Sequence, residues 1–394
     1  MTAIRATVHI VLKWLSIILL IALLVGSCSA LFLYLLTQAT EFRERNLWIL
    51  YFLPLAGLLI VWLYNRYGQA VQGGNKLILK EHKLPTEPLP LRMAPLIIGS
   101  TLTTHLFGGS AGREGTAIQY GASIADQFAR FFNFDHSARR ILLSCGMAAG
   151  FSSLFGTPWA GLIFALEIVG WRKSAYWALL PTLLSAFLAG YICNLYGNQH
   201  SHYPQLSVFP ALTPSSIAWA LLAAVIYGLT ARLFVQSNKL AGKIFKLLKQ
   251  PLIRPVIAGL LIILWVSFSH STRHIGLGLP TLLAAFDTEL PNYDFLVKII
   301  LTAITLSAGF KGGEVTPLFF IGATLGNALC IFIPLPMALL VAMGFVAVFA
   351  GCTKTPIACT IMGMELFGPT AACWLAIACF VSYWAAGKEG IYTD

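Results

Sequence analysis

The tetrapeptide Gly112-Arg113-Glu114-Gly115 sets two ionisable side chains between glycines, directly ahead of an apolar run from Thr116 to Phe132. Another apolar segment, Met93 to Phe107, stands before it and ends in Gly108-Gly109. Arg113 and Glu114 are therefore expected at a helix N-terminus, at membrane depth. Ionisable residues are expensive there and mark function by default. A helix N-terminus presents unpaired N–H groups and a partial positive charge, so it attracts anions. A carboxylate in that position is a tethered anion. Ionised, it occupies the site; protonated, it leaves. The plainer reading is an N-terminal Glu that only favours its helix dipole.

Other segments carry the same chemistry in weaker form. Gly312-Gly313-Glu314-Val315-Thr316-Pro317 opens an apolar helix from Leu318, with an acid, a hydroxyl and a proline at its start. Glu314 stands beside Lys311, so a surface ion pair is the alternative there. Gly73-Gly74-Asn75-Lys76 reads as a loop whose glycines and amide let backbone N–H groups approach a small ligand. A plain turn explains it about as well. Glu167 and Glu365 are read as structural, buried acids near helix ends, and Tyr392 as an interfacial anchor. Gly108-Gly109-Ser110-Ala111-Gly112 spells G-x-S-x-G, but the nucleophile elbow needs a strand before its Ser. The only histidines that could serve an intramembrane protease, His270 and His274, fall in a loop. An enzyme is not expected, nor any metal or cofactor.

The elements that position these residues are membrane helices. Of 394 residues, 58% are hydrophobic and 10% charged, where a soluble domain carries about 25% charged residues. Leu15 to Leu36 and Ile217 to Ala231 contain no charge. A helix needs roughly 20 apolar residues to cross the hydrocarbon core. The runs are continuously apolar, not alternating as in a barrel. The first is too long for a signal peptide and lacks a small-residue cleavage site, so it is expected to stay. The net charge of +11 does not imply nucleic acid. It gathers in what read as short positive-inside loops at Lys76, Lys80 and Lys83, at Arg139 and Arg140, at Arg172 and Lys173, and from Lys239 through Lys243, Lys246 and Lys249 to Arg254. The eight cysteines form no CxxC pair and read as small apolar residues.

Several apolar segments are short and broken by Gly or Pro: Met93 to Phe107, Ile141 to Phe155 and Leu318 to Ile333. Half-length helices of this kind belong to transporter folds, where termini near the midplane point at a substrate. The chain also repeats itself. Thr157-Pro158-Trp159-Ala160 with Glu167 matches Thr355-Pro356-Ile357-Ala358 with Glu365, and Gly121-Ala122-Ser123 matches Gly322-Ala323-Thr324. The offset of ~200 residues suits two homologous halves, not a solenoid. A single transport domain over 1–394 is expected, its repeats about 1–208 and 209–394. No cytoplasmic regulatory domain is expected after the last span, which ends just before Asp394.

Together these residues resemble the CLC family of chloride channels and anion/proton antiporters. Gly112-Arg113-Glu114-Gly115 resembles that family's G-R-E-G-P segment, with Thr116 in place of Pro. Ala160-Gly161-Leu162-Ile163-Phe164-Ala165-Leu166-Glu167 resembles its A-G-x-x-F-x-x-E helix. Gly313 to Pro317 occupies the G-x-F-x-P position, and Tyr392 falls where the family places an anion-coordinating tyrosine. The resemblance implies an all-α polytopic CLC-type fold with two inverted repeats of broken and tilted helices, and a homodimer with one pore per subunit. Departures narrow it. Asn75 replaces the Ser of the first anion loop, Ile168 replaces a proton-relay Glu, and Glu314 adds an acid. These resemble the fluoride/proton antiporter branch.

The expected function is fluoride export in exchange for protons across the bacterial inner membrane, with lipids as surroundings. Glu114, Glu314 and Thr316 are expected to gate and to couple protons. Gly74, Asn75, Gly112, Arg113, Gly115, Val315 and Tyr392 are expected to bind the anion along one path. A chloride/proton antiporter and a passive chloride or fluoride channel are the alternatives, with an intramembrane enzyme a distant third.

Overall fold

The computed structural model describes residues 2–171, 175–197 and 200–393. The described residues are helical, with one isolated antiparallel bridge and no strand. In chain order the helices are α1 (Thr2–Arg45), α2 (Leu53–Tyr67), α3 (Asn75–Lys83), α4 (Met93–Leu106), α5 (Glu114–Phe131), α6 (His136–Phe155), α7 (Pro158–Glu167) and α8 (Ala175–Leu195). There follow α9 (Pro214–Leu247), α10 (Ile253–Ser269), α11 (Leu279–Ala284), α12 (Asp294–Ser307), α13 (Val315–Leu329), α14 (Met337–Thr353), α15 (Pro356–Phe367) and α16 (Ala372–Ala385).

Among the described residues, four segments are long and apolar enough to cross a membrane: Val8–Arg45, Leu47–Tyr67, Tyr176–Leu195 and Pro214–Leu247. Their apolar character runs all round. In α1, Ile17, Ile21 and Val25 are buried, while Leu15, Leu19 and Leu23 on another face are exposed. A soluble helix keeps a polar stripe on its outer face, and these have none. Lipid is the solvent that accepts such a face. Several of the other apolar helices are shorter, among them Pro158–Glu167, Val315–Leu329 and Pro356–Phe367.

The chain divides into two compact units. One comprises 1–35, 68–98 and 116–201; the other comprises 36–67, 99–115 and 202–394. In the first, α5 and α6 approach until their backbones touch. A Cβ on Gly121 would strike the Gly146 carbonyl oxygen, and one on Gly146 would strike that of Gly121. Ser152 donates to the Ala186 carbonyl at 2.7 Å and Ser185 to that of Cys145 at 3.1 Å, tying α6 to α8. In the second unit, α13 and α14 approach in the same way through Gly322 and Gly344. Phe319 and Phe345 stack there at 4.0 Å. Small residues at closest approach are how helices pack where lipid removes the hydrophobic drive. The two sets of glycines stand at the offset of the sequence echo, and Thr157 and Thr355 both precede a helix that starts with Pro.

Of the basic clusters, Lys249 lies between α9 and α10, but most of the others stand on helices. Lys76, Lys80 and Lys83 lie on α3, and Lys239, Lys243 and Lys246 on the last turns of α9. Arg139 and Arg140 are in the first turns of α6, and Arg254 begins α10. Lysine and arginine are good helix formers, so the helices run on past their apolar cores. Arg172 and Lys173 lie outside the described residues.

Candidate functional site

The Glu114 loop is held by hydroxyls and glycines. Beyond α4 the chain turns at Gly108, whose φ of +86° and contact with Leu50 leave no room for a side chain. Ser110 is bound through both its backbone and its side chain. Its N–H donates to Thr305 Oγ1 at 3.1 Å and its hydroxyl bonds that of Thr302 at 3.1 Å, fastening the loop to α12. Gly112 and Gly313 then exchange two backbone hydrogen bonds, 2.6 and 2.7 Å. The starts of α5 and α13 are thereby locked side by side. A Cβ on Gly313 would lie 2.6 Å from the Gly115 nitrogen, so only glycine fits.

Into this double helix start projects the Glu114 carboxylate, 1% exposed. Its Oε2 accepts the Thr316 N–H at 3.0 Å and the Arg113 N–H at 3.1 Å. The Thr316 hydroxyl lies 2.5 Å from Oε1 and 2.6 Å from Oε2. The Arg113 guanidinium Nε is 3.6 Å from Oε1. Hydrogen bonds to a charged group are worth about 1.5–3 kcal/mol each. Two N–H groups, a hydroxyl and a guanidinium converge on this buried carboxylate. These donors would serve any small anion equally, and the carboxylate holds the place of one.

Gly112, Arg113, Glu114 and Thr316 are thus brought together, with Gly115 and the buried Val315 forming the first turns of α5 and α13. Glu314 immediately precedes α13, half-buried, within electrostatic reach of Lys311 and Cys352. The Lys311 ammonium sits 4.2 Å from the Tyr64 ring centroid, so its charge is shared with an aromatic face. Tyr392 belongs to a C-terminal segment pinned to the end of α14, where the Ile391 N–H donates to Cys352 at 2.9 Å. Glu167 and Glu365 are half-buried rather than buried. Asn75 and Lys76 are not loop residues. They form the first turn of α3, and Gly74 before them makes the turn with φ +53° and ψ −129°.

Some neighbours of the site carry no motif. Tyr203 is within electrostatic reach of Arg113 and Glu114, its ring edge-on to Phe345 and Phe367. Behind the loop, buried His105 approaches the Gly112 carbonyl at 3.3 Å, and Arg43 donates to the His105 carbonyl at 2.8 Å. Lys298, wholly buried, donates to the carbonyls of His274 and Gly276 at 3.0 and 2.9 Å. A lysine within the apolar run of α12 was the available signal for that cluster.

Broken helices whose starts present converging donors to a tethered carboxylate define a class: membrane transporters of small anions. The chain belongs to the CLC family, since residues 56–387 match its family model, described as voltage gated chloride channel. Over 387 residues it is 43% identical to a chloride/fluoride channel protein of Pseudomonas syringae pv. tomato, covering 96% of this chain and 85% of that protein. It is 29% identical over 294 residues to the voltage-gated ClC-type chloride channel ClcB of Escherichia coli O81, covering 70% of this chain and 68% of the relative. Among solved structures, a CLC-type fluoride/proton antiporter matches with a TM-score of 0.93 and 34% identity, over 97% of each chain. A slow cyanobacterial chloride/proton antiporter, at 21% identity and a TM-score of 0.85 over 96% of each chain, shares the fold.

Proposed function

We propose that this protein is a fluoride/proton antiporter, exporting fluoride in exchange for protons as a homodimer in the bacterial inner membrane. One observation carries the reading: the Glu114 carboxylate occupies the donors of Thr316 and Arg113 as a built-in anion. An anion can take its place only when the carboxylate withdraws, and protonation is what weakens its hold. That exchange couples the two ions. Asn75 and Ile168, together with the names of the relatives, favour fluoride over chloride. The name of the Pseudomonas relative favours a second reading, a channel in which Glu114 only gates.

Fluoride and chloride efflux from proteoliposomes, with simultaneous proton recording, tests both. Fluoride-driven proton uptake against a gradient is the expected result. Fluoride flux with no proton movement establishes the channel, and chloride flux of equal rate removes the selectivity.

Two residues refine the proposal. Asn75 donates to the dehydrated anion at the start of α3. Loss of such a donor costs on the order of 1.5–3 kcal/mol, so Asn75→Ser and Asn75→Ala are expected to lower the fluoride-to-chloride rate ratio. An unchanged ratio places Asn75 outside the path. Glu314 supplies the inner proton group that Ile168 cannot. A carboxyl at the start of α13, two residues before the Thr316 that meets Glu114, is placed to pass a proton on. Glu314→Gln is expected to fold and to lose fluoride-driven proton transport, and full transport in that variant makes Glu314 structural.

A further inference from the structure

Asp294, Lys298, Thr302 and Thr305 are wholly buried on α12, in a run that is otherwise apolar up to Leu306. They stand four, four and three residues apart, so they line one face of the helix. Each grips a loop beside the site. Asp294 Oδ1 lies 2.9 Å from His274 Nε2, and Lys298 donates to the carbonyls of His274 and Gly276. Thr302 and Thr305 hold Ser110 in the loop that leads into Glu114. The two loops are themselves joined, because the Gly276 N–H donates to the Gly109 carbonyl at 3.1 Å.

Lys298 is the unusual member of this face. An acid four residues back is the ordinary partner of a helical lysine, yet Asp294 turns to His274 and Arg273. Among the described residues Lys298 forms no ion pair. Its ammonium has two carbonyls and, 5.1 Å away, the centroid of the Phe320 ring. A buried charge without a counter-ion is costly, and an apolar side chain would fill the same volume at less cost. The charge therefore does something that packing does not. Phe320 lies on α13, the helix whose first turn carries Thr316, and Gly276 is tied to the Glu114 loop. One ammonium thus braces both sides of the contact between Glu114 and Thr316. Its field reaches the loop as well, since His105 is within electrostatic reach of Lys298, Arg43 and Arg113.

We propose that Lys298 is a positioning residue for the anion gate. From the polar face of α12 it holds the Glu114 loop against the start of α13, and it sets an uncompensated positive charge behind the anion's donors. This rests on the antiport reading and names a part of its machinery outside the anion path.

The test records fluoride efflux and proton uptake in liposomes carrying the intact chain. Lys298→Met keeps the length and removes the charge and its donors. Thr302→Val releases the Ser110 hydroxyl and leaves the charge in place. Gel filtration checks the fold of each. Protons moved per fluoride and the half-saturating fluoride concentration do not change when there is merely less folded protein, so a purely structural role leaves both alone. Lys298→Met is expected to lower the protons per fluoride severalfold, because the carboxylate is no longer held to its donors. It is also expected to raise the half-saturating fluoride concentration roughly tenfold. A folded Lys298→Met that keeps the wild-type protons per fluoride overturns the proposal. Should Lys298→Met fail to fold, Thr302→Val decides by the same ratio: a lowered value upholds the brace and a wild-type value overturns it. Misfolding of both variants also overturns it, since the face then serves folding alone. The wild-type trace separates the two levels. A wild type that carries fluoride without protons removes the antiport reading, and the half-saturating concentration of Lys298→Met then judges this role by itself. A wild type that carries no fluoride removes both.

Discussion

Glu114→Gln is expected to carry its anion without moving protons. The carboxylate now accepts from Thr316, whose hydroxyl reaches both oxygens, and from the N–H groups of residues 113 and 316. Glutamine matches its shape but holds no charge and does not titrate. Its oxygen can keep one acceptor role. Its NH2 group must face donors, so its hold on the site is weaker. The donors are then open to anions at every pH, and anion efflux becomes independent of pH while proton uptake falls to the level of empty liposomes. Glu114→Gln that still drives protons uphill with fluoride would remove Glu114 from the coupling step. Glu114→Ala should behave likewise, because what matters is the lost titration and not the new side chain.

The glycine-flanked acid was legible because an ionisable residue beside helix breakers in an apolar chain has few plain explanations. The same logic pointed to Glu314 and Thr316 from their place at a helix start, and of the two it is Thr316 that meets the Glu114 carboxylate. The sequence could not say that Gly112 and Gly313, so far apart in the chain, exchange backbone hydrogen bonds. Nor could it say that Thr316 would donate to Glu114. Pairing of that kind depends on which helices pack, and Gly322 and Gly344 become contact points only once α13 and α14 meet. The start of α3 was misread for a local reason. Two glycines signal a turn, and the turn is there, but it ends one residue before Asn75. Tyr203 stayed hidden because a tyrosine near the end of a polar stretch has no pattern of its own. Arg139 was hidden by company: beside Arg140, it looked like one more positive-inside charge.

Arg139→Met is expected to destabilise the protein by about 3–5 kcal/mol, the cost of leaving buried acids uncompensated. Arg139 lies in the first unit, and all three of its guanidinium nitrogens donate. Nε and an Nη bond both oxygens of Asp126 at 2.7 and 2.9 Å, the other Nη bonds Glu81 at 3.1 Å, and the Glu87 carbonyl accepts at 2.6 Å. Asp126 is 0% exposed, and Glu81 also accepts from Thr86. The Leu89 N–H reaches Asp126 at 2.6 Å, so the segment from Leu84 to Arg92 that joins α3 to α4 closes on this cluster. Methionine fills the stem but leaves two carboxylates facing each other without a cation. Thermal unfolding in detergent, followed by size exclusion, reads the loss. Arg140→Met is the control, since Arg140 donates only to the carbonyls of His82 and Lys83 toward the surface and should shift the transition little. Asp126→Asn combined with Arg139→Met removes the charge on both sides and should recover part of the stability. If Arg139→Met and Arg140→Met melt alike, the cluster does not hold α3 to α5 and α6. The start of α3, where the anion is proposed to meet Asn75, would then need another anchor.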